Sequence, residues 1–157
     1  MWQRAISSSG GGKEATILMP TSVTTNSTES SSYPAENSTS VYPTMGRRWS
    51  SATNTLAYLE YTFSEAVCVN RIDTLICVTT DTANDCTAKI QGYDGSSWVD
   101  IETLSYTATE VKSHVIRRIN NSNKYTRYRF TFTSYPYNAS SSRAFCGMGM
   151  CLLINEA

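Results

Sequence analysis

Between Tyr125 and Thr133 the chain reads YTRYRFTFT. If that stretch is extended, Tyr128, Phe130 and Phe132 fall on one face and Tyr125, Arg127 and Arg129 on the other. A period of two is what a strand with one buried face requires. A helix, with its period of about 3.6, would scatter the same residues around its axis. The period recurs along the chain, and this recurrence limits the fold more than any other feature. Ala88, Ile90 and Gly92 alternate with Lys89, Gln91 and Tyr93, and Val99 and Ile101 alternate with Trp98 and Asp100. Leu59, Tyr61 and Phe63 share a face between Tyr58 and Phe63. Further strands are expected at Ala15–Met19, Lys112–Ile119 and about Ala144–Ile154. Val67–Val78 is apolar on both faces near Leu75-Ile76-Cys77-Val78, which predicts a central strand. The expected core holds Leu59, Tyr61, Phe63, Ile76, Ile90, Val99, Tyr128, Phe130 and Phe132. Some eight strands, broken by turns every 8 to 12 residues or so, predict an all-β antiparallel sandwich or barrel. Abundant Ser, Thr, Tyr and Val agree with strands and turns.

The connections are equally legible. Asp94-Gly95-Ser96-Ser97 joins two alternating runs, and glycine accepts the positive φ of a tight hairpin turn. Thr21 to Ser32 reads as a Ser/Thr/Asn-rich loop. Tyr33 to Ser51 is long and broken by Pro34, Pro43 and Gly46, and long ordered loops often carry function. Ser7-Ser8-Ser9-Gly10-Gly11-Gly12 reads as a flexible linker after a short head, Trp2 to Ile6. The expected organisation is a head and linker over 1–14 and one sandwich domain over 15–157.

Composition excludes several functions. Thirteen basic residues balance 13 acidic ones, so no long-range field recruits nucleic acid or an anionic membrane. No apolar run reaches the roughly 20 residues that span a bilayer. Met1-Trp2-Gln3-Arg4 lacks an apolar signal core, so the expected location is cytoplasmic or virion-associated. For the same reason the Asn-x-Ser/Thr triplets at Asn26, Asn37, Asn120 and Asn138 carry no weight as glycosylation sites. Five cysteines (Cys68, Cys77, Cys86, Cys146, Cys151) are an odd number and form no CxxC pair, so they read as reduced, small apolar filling. With His114 the only histidine, no zinc site is expected.

Four stretches in order carry a family resemblance. They are YPAENSTSVYPTMGRRWSS, LAYLEYTFSEAVCVNRIDTLIC, AKIQGYDGSSWVDI and KYTRYRFTF. Together, from Tyr33 to Ile154, they resemble the galactose-binding-like family, also called the discoidin or coagulation factor 5/8 type C domain. The resemblance implies a jelly-roll β-sandwich. It implies that Asp94 and Gly95 turn a hairpin with Trp98 packed beneath it, that Trp49 is core, and that Arg127 is structural. It also implies binding of carbohydrate, or sometimes of lipid head groups or protein, through loops at one end. Many members carry Asp-Gly after Pro-Ala-x-Asn, in a loop that often holds calcium. Here Thr39-Ser40-Val41-Tyr42 stands there with only Glu36 as a nearby carboxylate, so no cofactor is expected and calcium is doubtful. The opening Met1-Trp2-Gln3-Arg4-Ala5-Ile6 resembles short accessory proteins of phage tails and prophages, which implies docking of the head onto a larger assembly.

Catalysis finds no motif. His114 sits in a strand without a marked partner, no cysteine is flagged as activated, and Glu29, Glu36, Glu60, Asp81 and Asp85 form no recognisable pair. Sugar recognition needs a ring against the pyranose face and planar donors for hydroxyls. Tyr42, Arg47, Arg48, Tyr135 and Tyr137 supply those types in two irregular segments and are the expected ligand-binding residues. The Arg127/Arg129 face reads as a solvated sheet face. The function expected is a non-catalytic carbohydrate-binding (adhesion) module. The alternative is a structural or protein-interaction module of a phage tail or surface assembly, without sugar binding.

Overall fold

Alternation along each strand produces two sheets whose apolar faces meet. The computed structural model describes residues 4–6, 14–28, 31–41, 48–51, 56–77, 83–136 and 147–157. In chain order the strands are β1 (Arg4–Ile6), β2 (Ala15–Ile17), β3 (Ser22–Thr25), β4 (Trp49–Ser50), β5 (Tyr58–Val67) and β6 (Arg71–Cys77). They continue with β7 (Cys86–Tyr93), β8 (Trp98–Tyr106), β9 (His114–Arg118), β10 (Tyr125–Phe132) and β11 (Gly147–Glu156). A 3-10 helix covers Ala35–Thr39. One sheet runs β1-β2-β11-β6-β9, with β4 also on β11; the other runs β3-β5-β10-β7-β8. All pairings are antiparallel, so the molecule is an all-β sandwich. Among the described residues no helix is long and apolar enough to cross a membrane.

The core lies between the sheets. Tyr61, Tyr128, Phe130, Phe132, Ile76 and Ile90 are almost wholly buried, as their period predicts. Val99 is half-buried against that core, beside a register shift between Ile90 and Gln91. β6 is indeed central, held by β11 on one side and β9 on the other. Tyr128 shows why a tyrosine can be buried here. Its hydroxyl donates to Val67 O at 2.7 Å and accepts from Val69 N at 3.2 Å, tying β10 to the β5–β6 corner. Burial pushes that phenol up to about 12.

Three local expectations are corrected. Ser22–Thr25, expected in a loop, is an edge strand on β5, where Val23 opposite Tyr61 reaches the core. Tyr125, expected beside Arg127 and Arg129, is turned inward by a register shift between Tyr125 and Arg127. There it is buried edge-on to Tyr128. Trp98 does not pack beneath its hairpin; it lies half-buried across the outer sheet face against Tyr93, with ring centroids 5.3 Å apart. The turn itself is as expected. Gly95 has φ +102°, and the Asp94 carboxylate accepts the amides of Ser97 and Ser96 at 2.8 Å each. Those bonds hold the carboxyl at about 2.

Gly92 explains how Tyr125 fits. A Cβ at Gly92 would run into the Tyr125 ring. Gly92→Ala should therefore cost about 1–3 kcal/mol by overpacking. Urea denaturation checks it, and an unchanged midpoint would mean that the ring does not rest on this glycine.

The strand directions define two ends. At one, Ala157 N donates to Glu14 O at 2.9 Å, and Asn70 is bonded to both Ile154 and Glu156, so Glu14 and Ala157 lie together. At the other, Gly147 pairs with Cys77 and Ser50, Phe132 N donates to Ala57 O, and Asn84 N donates to Pro136 O.

Candidate functional site

The end away from Glu14 and Ala157 gathers residues far apart in sequence, and the site is built from its buried floor upward. Trp49 is fully buried, as the resemblance implied. It stacks on Phe132 with centroids 6.3 Å apart and planes 18° apart, and its indole N–H donates to Ser27 O at 2.9 Å. This anchors β4 on the start of β11 and sets the backbone of its neighbour. Arg48 is half-buried. Its guanidinium lies 4.3 Å from the Tyr33 ring centroid, and its Nε donates to Ser50 Oγ at 3.0 Å. Tyr135, three residues beyond Phe132, is half-buried and packed against the core. The fold thus brings Arg48 and Tyr135 to one end. Tyr42, Arg47 and Tyr137 lie outside the described residues.

The loop after Pro34 gives a poor donor set for a hard cation. The Ser38 hydroxyl donates to Ala35 O at 2.7 Å and meets the Tyr61 hydroxyl at 3.0 Å. Thr39 Oγ1 donates to Glu36 O, and Asn37 Nδ2 donates to Arg48 O. The Ser38 and Thr39 hydroxyls are engaged as donors in closing the turn, and Glu36 is the one carboxylate of the helix, where a hard cation wants about six to eight oxygens. Among the described residues no three of His, Cys, Asp and Glu form a metal-ligand group.

Burial disfavours the thiolate of Cys77, Cys86 and Cys151. Burial pushes Cys151 and Cys86 up to about 12, and for Cys86 the charges of Asp85 and Glu110 add to it. Cys68, Cys86 and Cys151 are free thiols, and Cys146 lies outside the described residues. His114 is exposed on edge strand β9, with Nε2 3.6 Å from Asp73 Oδ2.

A second constellation lies on the outer face of the β3-β5-β10-β7-β8 sheet. Arg127 and Arg129 do not form a plain solvated face. Arg129 Cζ sits 4.0 Å from the Tyr58 ring centroid and 4.1 Å from that of Trp98. Arg127 Cζ sits 4.7 Å from Tyr93 and 5.3 Å from Trp98. Rings and guanidiniums alternate in a ladder: Tyr58, Arg129, Trp98, Arg127, Tyr93. Both arginines bond the buried Glu60, Arg129 Nη2 at 2.8 Å and Arg127 Nε at 2.9 Å with its Nη2 also engaged. Burial alone would raise the Glu60 carboxyl; the bonds and charge of Arg129 and Arg127 outweigh it and hold it below the usual range. Sequence reasoning overlooked this cluster. The available signal was the outward register, which places Tyr58 and Glu60, Arg127 and Arg129, and Tyr93 and Trp98 on one face.

No family model matches the sequence, and no curated protein matches it. Solved structures do. The family 32 carbohydrate-binding module of AlyQ, solved with 4,5-unsaturated mannuronic acid, superposes with a TM-score of 0.65 at 14% identity, covering 87% of this chain and 96% of that one. The family 32 module of NanJ from C. perfringens, solved with galactose, gives 0.63 at 9% identity, covering 85% and 93%. Chitosan-binding module 1 from a Paenibacillus sp. IK-5 chitosanase/glucanase, solved as a selenomethionine-labelled mutant, gives 0.63 at 15% identity, covering 88% and 96%. This chain shares the β-sandwich fold of those modules. At these identities the likeness establishes the fold and nothing finer. Within the sandwich, the end bearing Arg48 and Tyr135 and the ladder face are separate surfaces.

Proposed function

We propose that this galactose-binding-like domain is a non-catalytic carbohydrate-binding module that grips a glycan through loops at the end away from Glu14 and Ala157. The observation that carries the reading is the shared fold with modules solved with a mannuronic acid derivative or galactose, or named as chitosan-binding. The proposed contacts are Tyr42, Arg47, Arg48, Tyr135 and Tyr137. Tyrosine offers a ring face and a hydroxyl, and arginine a planar fork of donors matched to adjacent sugar oxygens or a carboxylate. Arg48, braced on Tyr33 and Ser50, is a preorganised donor and loses little freedom on binding. With Glu14 and Ala157 at the far end, a tether or partner there leaves the loop end open to a ligand. Weak single-site affinity would be raised by multivalent display, as on a phage tail or surface assembly.

The test is a glycan array probed with a multimerised form of the protein. Arg47→Ala combined with Tyr137→Ala, at unchanged melting temperature, should weaken the hits at least about tenfold, the loss of roughly 1.4 kcal/mol. Neutral-sugar hits should be insensitive to salt, whereas acidic-sugar hits should fade as salt rises. If every hit survives the double change, the loop end is not the site. The second reading is a structural or protein-interaction module without sugar binding. It is favoured by the half-burial of Arg48 and Tyr135 and wins if the multimer binds no glycan.

A further inference from the structure

The ladder face carries an excess of positive charge that no other described ion-pair cluster shows. Arg117 is matched by Glu110 and Lys89 by Asp100. Arg71 and Arg118 share Asp73 and Glu156. Arg127 and Arg129 have one carboxylate between them, Glu60. Arg129 Nε is buried without a hydrogen-bond partner, so the cluster also holds more donors than acceptors. The arginine side chains are within reach of solvent, Arg127 at 36% and Arg129 at 22% exposure.

These facts select the ligand. A guanidinium already lies over each of Tyr58, Trp98 and Tyr93, which leaves little room for stacking a neutral pyranose. What the face offers instead is two partly exposed guanidinium groups and one unit of unmatched charge. Thr24 and Thr131 flank it on neighbouring strands, hydroxyls suited to sugar hydroxyls. The ladder spans β5, β10, β7 and β8, about 14 Å at the usual strand spacing of roughly 4.8 Å, so it fits an extended chain better than a single ring. An open face holds each group weakly, and a chain repeating its anion compensates.

We propose that the outer face of the β3-β5-β10-β7-β8 sheet binds acidic polysaccharide, with Arg127 and Arg129 pairing its carboxylate or sulfate groups. The proposal is independent of the loop-end reading. The experiment is affinity electrophoresis at low salt in gels containing polygalacturonate, dextran sulfate or neutral dextran. One or both acidic polymers should retard the protein while dextran does not, and which of them does so identifies carboxylate or sulfate. Retardation should vanish at high salt. Arg127→Gln should weaken it at least about fivefold. Glu60→Gln, which removes the internal competing anion, should strengthen it, a change of sign that a purely structural ladder would not give. Arg47→Ala with Tyr137→Ala should leave it unchanged, which separates this surface from the loop end. Hydrogen exchange on the wild-type protein needs no variant to fold, and the polymer should protect the stretch from Arg127 to Thr131. No retardation by either polymer, retention unaffected by Arg127→Gln, or protection elsewhere overturns the proposal. Equal retention by poly(dT) reassigns the face to phosphate and overturns the saccharide.

Discussion

Phe130→Ala should lower the unfolding free energy by about 3–5 kcal/mol. Phe130 is 1% exposed, stands between Leu59 and Ile90 in the middle of its sheet, and packs edge-on to Phe132 at 5.3 Å. Truncation removes buried apolar area and leaves a cavity that flanking strands, fixed by their ladders, can close only in part. A domain of this size has roughly 5–15 kcal/mol in all. With a urea m-value near 2 kcal/mol/M, the midpoint should fall by roughly 2 M. Thr131, the next residue, points out of the sheet, and Thr131→Ala should change stability by no more than about 0.5 kcal/mol. Equal midpoints for the two variants would break the strand register.

Trp49→Ala should cost a similar ~3–5 kcal/mol, and the comparison with Trp49→Phe separates packing from hydrogen bonding. Phenylalanine keeps a ring against Phe132 but removes the indole donor to Ser27 O, which still accepts from Thr25 Oγ1, a loss of about 0.5–1.5 kcal/mol. The Ala variant should lose the additional stacking and area. The effect reaches function through position. Trp49 pins β4 to β11, and Arg48 is the residue before it. A folded Trp49→Phe protein should keep its glycan-array hits, because a fully buried ring touches no ligand. Lost hits in a protein with an unchanged circular-dichroism spectrum would show that Trp49 is part of the contact surface.

The two variants also probe different layers of information. Phe130 declares itself in the sequence, since burial of alternate residues follows from strand geometry and needs no knowledge of partners. The same holds for the β7–β8 hairpin, whose turn chemistry is local: Asp94 and the Ser96 and Ser97 amides are neighbours in the chain. Tyr125 shows where local reading stops. Its side follows from a register shift against β5, and a shift is a property of two strands. Ser22–Thr25 lacks a strong apolar pattern and is extended because β5 offers it an edge.

The surfaces fall on the same divide. Period two and turn residues by themselves determined an all-β antiparallel sandwich or barrel, its central strand and most of its core. They also put Arg127 and Arg129 outward. What the guanidiniums meet there was decided by the tertiary structure. Tyr58, Glu60, Tyr93 and Trp98 come from three other strands, and strand order and pairing register are set by the packing of the whole core. That Arg48 and Tyr135 lie toward one end has the same cause. A strand's period is written every two residues, whereas a contact across tens of residues depends on which sheet edge each strand takes.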